Sequence, residues 1–388
     1  MRLLLITQDF PPDFGGIQTY CYEYAKRLGS RCSDFALVCP DKPDAADVDK
    51  EFDFPVYRIP ISNNANIVFP LFKKLEPIIR RHQTEVTFHA QWQTTRPATI
   101  LRDRGLLKAV YCAAHGRELI FNPYAKVPLL GPFYNYVRRY ALRHVDHHFP
   151  VSHYNSERLG MLGVDQEDRT VHVNGTDPSV FFPQDAEEIK NKLGLQGKKV
   201  ILTVTRVIYR KGVDFVIRAL ARLKEQMADV VYVVIGDGPY MDTCKQLAVE
   251  LGVQDQVLFL GKLPYDTLNK YYNMSDLFIM VPRSNETEFE GYGIVYLEAN
   301  ACKKPVIGSR SGGIASAVLE GETGLLVDED DVDELADKIE TILTDPERAA
   351  ELGEKGYQRV LDDVNWDALT ESLYGHFEHH LKSRSKAE

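Results

Sequence analysis

Residues 277–304, LFIMVPRSNETEFEGYGIVYLEANACKK, decide how the chain folds. The opening LFIMVP is short, continuous and apolar, which marks a buried strand. Glu290 follows in a loop with Gly291 and Gly293, a helix opens close to Tyr292–Ile294, and Glu298 lies inside that helix. A glycine-flanked helix start behind a strand leaves backbone N–H groups unpaired at the positive end of the helix dipole, where an anion is favoured. Two carboxylates beside such a point are costly unless they meet hydroxyl groups. A sugar and a ribose joined by a diphosphate supply both kinds of group, so the stretch reads as one wall of a nucleotide-sugar site.

The same strand–helix alternation runs through the whole chain. In the first half strands are expected at Leu3–Thr7, Phe35–Cys39, Val56–Ile59, Val86–Ala90, Val110–Ala114, His148–Val151 and Thr170–Val173. In the second they are expected at Val200–Thr205, Val230–Ile235, Val257–Leu260, Leu277–Val281, Pro305–Gly308 and Gly324–Val327. The helices of that half open near Gly212, Tyr240, Pro264, Tyr292, Gly313 and Asp331. Near-continuous apolar strands separated by helices indicate parallel sheets covered on both faces. The expected class is α/β, with two doubly wound Rossmann-like domains, 1–180 and 190–365, facing a central cleft. The boundary falls in the turn-rich NGTDPSVFFPQD. Residues 366–388 open with apolar residues at helical spacing and are expected to form a C-terminal helix crossing back to the first domain.

With 388 residues, 44% apolar and 26% charged, the composition is that of a soluble globular protein too long for one ordinary core. No run is long enough to span a membrane, and the start, MRLLLIT, is too short in its apolar run for a signal peptide. The six cysteines form no CxxC pair and read as buried reduced thiols, which places the protein in the cytoplasm. The net charge of −10 is uneven: residues 1–185 carry 22 basic against 21 acidic side chains, residues 186–388 carry 24 against 35. This is no nucleic-acid footprint, which would be a basic face. A near-neutral first half is compatible with an approach to something anionic.

Ligands of open α/β sheets bind beyond the carboxyl ends of the strands, so chemical residues are sought there. After the first strand, Gly15-Gly16 either let backbone N–H groups approach an anion or simply make a tight loop. After Val110–Ala114 comes His115-Gly116-Arg117-Glu118, where the histidine either meets a substrate hydroxyl or is structural. After Val200–Thr205 come Arg206 and then Lys211-Gly212. Cations there would stabilise the charge that grows on a departing diphosphate. The ordinary alternative makes Arg210 and Lys211 solvated loop charges. GDGP at 236–239 needs no role beyond a tight turn. No cluster has metal-ligand spacing, and no GxSxG elbow or P-loop lysine motif occurs.

Together DFPPDFGGIQTY, HGRE, TRVIYRKGVD, GDGP and EFEGYGIVYLEANACKKPVIGSRSGG resemble the retaining GT-B glycosyltransferases of family 4, also called glycosyl transferases group 1. Within that family the chain is most similar to the phosphatidylinositol-mannoside mannosyltransferase type. The resemblance implies that Arg206 and Lys211 bind the diphosphate, with Gly15 and Gly16 approaching it from the other domain. It implies that Glu290 holds sugar hydroxyls, helped by the backbone at Gly291, Tyr292, Gly293, Ile294 and Val295. Glu298 would take the ribose hydroxyls, His115 would contact the sugar near its 6-hydroxyl, and the base would be read near Lys262. The implied activity is transfer of a hexose, with retention, from a nucleoside diphosphate sugar to a carbohydrate or lipid-linked acceptor. GDP-mannose is the first choice of donor and UDP-glucose the second, and no metal or other cofactor is expected. Two departures stand out, Arg117 in HGRE and Tyr292 in EGYG. A sugar-nucleotide 2-epimerase on the same fold is the rival from another class, against which the paired cations and carboxylates argue.

One stretch bears on the acceptor. FPLFKKLEPIIRRH, 69–82, places apolar residues at helical spacing beside two basic pairs. A basic amphipathic helix can lie on an anionic membrane. The preferred reading is the ordinary one, an apolar face turned into the core.

Overall fold

Runs such as Val230–Ile235 (VVYVVI) are rich in β-branched residues and buried throughout, as befits strands covered on both faces. The computed structural model describes residues 1–13, 15–60 and 68–387, and their side chains apart from 68, 69 and 384–387. The chain divides into two compact units, residues 1–174 with 366–388 and residues 175–365.

The first unit contains β1 (Arg2–Ile6), β2 (Asp34–Pro40), β3 (Val56–Ile59), β4 (Val86–His89), β5 (Ala109–Ala114) and β6 (His147–Pro150). They pair in parallel in the order β3-β2-β1-β4-β5-β6, with Leu3 set between Phe35 and Val86. The second unit contains β7 (Lys199–Val204), β8 (Val230–Ile235), β9 (Val257–Gly261), β10 (Leu277–Ile279), β11 (Val306–Ser309) and β12 (Gly324–Val327). Its order is β12-β11-β10-β7-β8-β9. Each sheet reverses its strand order beside its first strand, so each unit is doubly wound. The core of the second unit gathers Ile201, Tyr232, Leu277 and Ile307, and that of the first has clusters around Leu4 and Val38 and around Trp92 and Cys112. The last helix, Trp366–Ala387, packs in the first unit, where Phe377 stacks on Tyr111 with ring centroids 4.5 Å apart.

Several expectations need correction. Thr170–Val173 is not a strand. Thr170 and His172 donate to carbonyls of β6, but the pairing amounts to one bridge before the chain leaves for the second unit. The helix expected near Pro264 begins at Leu268, after a 3-10 turn at Tyr265–Thr267, while the one expected close to Tyr292–Ile294 begins at Ile294. Gly293, at φ 96°, cannot belong to a right-handed helix and sets that start. A helix at Pro346–Asp362, capped by Asp345, was not anticipated. Helix Val68–His82 forms as expected, but Leu71, Leu75, Ile78 and Ile79 are buried in the core of the first unit. Its apolar face is therefore not offered to a membrane, although Phe72 remains 47% exposed. All six cysteines are free, five of them buried. Among the described residues no helix is long and apolar enough to cross a membrane.

Candidate functional site

In the second unit the strand order reverses between β7 and β10, and loops leaving neighbouring strands at such a point open a crevice at their carboxyl ends. The loop after β7 carries Arg206, Arg210 and Lys211, and the loop after β10 carries Glu290. Tyr209–Lys211 form a single 3-10 turn that ends at Gly212 with φ 73°. A Cβ on Gly212 would lie 2.1 Å from the Val281 carbonyl oxygen, so only glycine lets this turn close against the end of β10.

Arg283 holds the same turn from the other side. Its backbone N–H donates to the Arg210 carbonyl at 2.8 Å and its Nη1 to the Tyr209 carbonyl at 2.9 Å. The guanidinium forks onto Asp214 at 2.8 and 2.9 Å, and Nε reaches Asp330 at 2.5 Å. Burial pulls the Arg283 pKa down, but its carboxylate partners, Asp214 first, outweigh that and raise it.

With the turn fixed, Lys211 Nζ donates to Glu290 Oε2 at 2.6 Å and Arg210 Nη1 to the same oxygen at 2.9 Å. Burial pushes Glu290 up, yet Lys211 and then Arg210 pull harder the other way and hold it at about 2. Burial lowers Lys211, with Glu290 pulling it back up. Among the described residues nothing donates to Glu290 Oε1, so an ionised acceptor oxygen stays available. The backbone of Glu290 is pinned too: its carbonyl accepts from Gly313 N–H at 2.8 Å, and a Cβ on Gly312 would lie 2.5 Å from that oxygen.

Gly293 caps helix Ile294–Ala301, whose first residues Ile294 and Val295 are half-buried, as is Gly291. The Tyr292 side chain is buried, which leaves its backbone for any ligand. Glu298 is buried as well, its Oε2 accepting from the Tyr272 hydroxyl at 2.6 Å. Burial pushes its carboxyl up to about 7, against the Tyr272 and Tyr265 hydroxyls. Arg206 is exposed and makes no side-chain hydrogen bond or ion pair among the described residues; Lys262 is exposed just after β9. The GDGP turn packs onto the Arg206 loop, since a Cβ on Gly238 would lie 2.2 Å from the Val207 carbonyl oxygen.

In the first unit the corresponding residues follow β1, β4 and β5. Gly15, in extended backbone, precedes helix Gly16–Arg31. Asp9 accepts from Gln91 at 2.5 Å and Gln18 at 3.2 Å, and burial raises its pKa. His115 ends β5. Burial pushes its pKa down to about 3, so the ring is neutral, and its buried Nε2 has no hydrogen-bond partner. The backbone N–H groups of His115 and Gly116 donate to Glu118 Oε1 at 2.5 and 3.1 Å, which orients the turn. Arg117 lies over the Phe121 ring at 4.6 Å.

The structure thus brings Lys211 and Glu290 into contact, with Glu298 about one turn into the helix that follows, and leaves Arg206 unpaired on the loop that carries Lys211. Sequence reasoning undervalued Arg210, which is no solvated charge, and missed Arg283 and Asp214. The available signal was positional: Arg283 directly follows the apolar run of β10, and Asp214 lies in the first turn after Gly212.

Residues 185–359 match the family described as Glycosyl transferases group 1, and residues 14–180 match Glycosyltransferase Family 4. A GDP-mannose-dependent alpha-(1-6)-phosphatidylinositol monomannoside mannosyltransferase of Mycolicibacterium smegmatis is 30% identical over 94% of this chain and 95% of its own. A GDP-mannose-dependent monoacylated alpha-(1-6)-phosphatidylinositol monomannoside mannosyltransferase of Corynebacterium glutamicum is 30% identical over 96% of each chain. Among solved structures, Anabaena HepE in complex with UDP superimposes with a TM-score of 0.82 at 19% identity, covering 98% of this chain and all of that one. Sucrose-phosphate synthase of Thermosynechococcus elongatus gives 0.82 at 20% identity over 99% of this chain and all of that one. Two parallel six-stranded sheets with this likeness make the fold GT-B.

Proposed function

The chain belongs to family 4 of the glycosyltransferases (glycosyl transferases group 1), and from that premise we propose that it is a retaining hexosyltransferase with GDP-mannose as its first-choice donor. The observation that carries the reading is the shared oxygen of Glu290: two cations hold one side of a carboxylate whose other oxygen can accept sugar hydroxyls. The choice of mannose rests on the two mannosyltransferase relatives, each similar across nearly its whole length.

In this reading Lys211, Arg210 and Arg206 receive the diphosphate, with the backbone after Gly15 and Gly16 assigned to the same group. Glu290 takes ring hydroxyls with the amides from Gly291 to Val295, Glu298 the ribose and His115 Nε2 a hydroxyl of the sugar. The base is assigned to the backbone near Lys262. As the bond from the anomeric carbon to the diphosphate breaks, negative charge grows on the leaving oxygen. Fixed cations in a partly dry site stabilise that charge more in the transition state than in the ground state. The acceptor hydroxyl attacks the same face, and its proton passes to the departing phosphate oxygen. The basic side chains then supply the counter-charge, and full turnover in excess chelator is the expected outcome. The acceptor is a carbohydrate or a lipid-linked glycan.

Nucleotide sugars are screened by thermal shift, and acceptors are assayed with the best of them, the anomeric configuration being read by NMR. GDP-mannose should give the largest shift and an α-linked product. A UDP-hexose preference would replace the donor, a β-linked product would remove retention, and acceptor-independent epimerisation would remove the transferase.

A further inference from the structure

Glu298, the side chain given to the ribose above, is only 5% exposed. Two tyrosines close it off. The Tyr272 hydroxyl donates to Glu298 Oε2 at 2.6 Å, and the Tyr265 hydroxyl hydrogen-bonds the same carboxyl. A carboxylate can accept several hydrogen bonds, and two hydroxyls on one carboxylate is also the pattern that the vicinal diol of a ribose would make. Burial pushes the carboxyl up to about 7, in keeping with how little solvent reaches it.

The two tyrosines differ in what holds them. Tyr272 is fully buried in helix Leu268–Met274, with Phe181 edge-on to its ring at 5.5 Å and Phe278 at 5.6 Å. It cannot leave without opening the core. Tyr265 is 42% exposed. It begins the 3-10 turn Tyr265–Thr267 that leads into the same helix. That turn closes on the Pro264 carbonyl, which accepts from the Thr267 N–H at 3.1 Å and from Thr267 Oγ1 at 2.7 Å. The Tyr265 ring meets Phe181 edge-on at 5.4 Å. A short, partly exposed turn opens at lower cost than a core helix. Of the two hydroxyls on Glu298, the one on Tyr265 is therefore the one that can be exchanged. Tyr265 also follows Lys262 by three residues, so it stands between the stretch assigned to the base and the carboxylate assigned to the ribose.

We propose that Tyr265 is a specificity-determining residue: its hydroxyl holds the place on Glu298 that a ribose hydroxyl takes, and gives it up when a ribonucleotide binds. The inference rests on the reading of Glu298 as the ribose carboxylate. The exchange keeps a buried carboxyl partnered while the site is empty, which avoids the cost of an unpaired buried polar group. It also limits how strongly the ribose is held, because one hydrogen bond replaces another. A nucleotide without ribose hydroxyls leaves Tyr265 where it is and gains nothing at Glu298.

Binding of GDP, UDP and their 2′,3′-dideoxy counterparts to the full-length protein is measured by calorimetry. The measurement is made at about pH 8.5, above the carboxyl's value of about 7, so that protonation of Glu298 does not enter. Wild type should prefer the ribonucleotide. Tyr265→Phe keeps the ring against Phe181 and should bind the ribonucleotide about tenfold tighter or more, the scale of one hydrogen bond to a charged group. Its affinity for the dideoxy compound should stay at the wild-type value. The exchange is overturned if Tyr265→Phe binds the ribonucleotide no tighter, or if both compounds gain alike, which would make the phenol a steric block. Glu298→Gln tests the premise separately. If it leaves the ribose preference intact, the ribose lies elsewhere and the proposal falls with that assignment. If it erases the preference while Tyr265→Phe matches wild type, Glu298 keeps the ribose and the exchange alone fails.

Discussion

Lys211 Nζ lies 2.6 Å from Glu290 Oε2 within the second unit, and each side chain is only 15% exposed. Arg210 shares that oxygen, so the three groups form a compact set with one excess positive charge. Lys211→Ala should lower turnover by about 100-fold or more, the scale of losing one preorganised donor to a developing anion. Glu290→Ala should be worse for the free protein, because it strands two partly buried cations at a cost of about 3–5 kcal/mol. A nucleoside diphosphate binding at those cations would replace the lost anion. It should therefore raise the melting temperature of Glu290→Ala by more than that of wild type; an equal or smaller rise would place the diphosphate elsewhere.

Among the described residues Arg283 makes no hydrogen bond or ion pair to Glu290 or Lys211, yet it fixes the turn that presents the cations. Its fork onto the buried Asp214 is the kind of pair that is costly to halve, so Arg283→Ala should cost about 3–5 kcal/mol in denaturant unfolding. Arg283→Lys keeps the charge but cannot serve both Asp214 oxygens, Asp330 and the Tyr209 carbonyl together. It should recover part of the stability and little of the turnover. Full recovery of activity by lysine would show that the fork does not position the cations.

The doubly wound architecture was legible because fully buried parallel strands leave continuous apolar runs, and all twelve strands fall within a residue or two of where such runs lie. Thr170–Val173 misled because alternating valines look the same in a full strand and in a segment that touches β6 at one bridge. Helix Pro346–Asp362 carried its own signal, an Asp345 cap followed by proline, but lies beyond the chemical motifs. The Lys211–Glu290 pair was half legible: each residue stood out at a strand end, while their shared oxygen depends on a turn 79 residues away in sequence.

Gly212 allows a direct test of the turn. Its φ of 73° alone costs a side chain about 1–2 kcal/mol, and a Cβ would also strike the Val281 carbonyl at 2.1 Å. Gly105 has a similar φ of 77° with nothing within 4 Å of a Cβ. Gly105→Ala should thus cost about 1 kcal/mol, while Gly212→Ala should cost more and cut donor affinity as well. Equal unfolding costs with unchanged donor binding would mean that the turn shifts freely.

Acid should unfold the two units by different routes. All 11 histidines lie in residues 1–174 and 366–388, and none lies in the second unit. Burial pushes His89 and His115 down to about 3, and His148 and His172 down to about 4, from an ordinary 6.5. Between pH 6.5 and 4 the unfolded first unit therefore binds more protons than the folded one, and stability falls with pH. The limit is about 1.4 kcal/mol per pH unit for each histidine. Asp9 and Glu118, raised by burial, bind protons in the folded state and offset part of this. In the second unit Glu298, raised to about 7, gains folded-state protons over the same range, and Glu290, held at about 2, gives up its contribution only below the ordinary carboxylate value of 4.5. Both tryptophans, Trp92 and Trp366, belong to the first unit, so their fluorescence reports it alone while far-UV circular dichroism reports both. On lowering the pH from 7 to 5 the fluorescence midpoint in thermal unfolding should drop well below a later, nearly stationary phase seen by circular dichroism. A fluorescence midpoint that does not move would mean that these histidines are protonated in the folded unit.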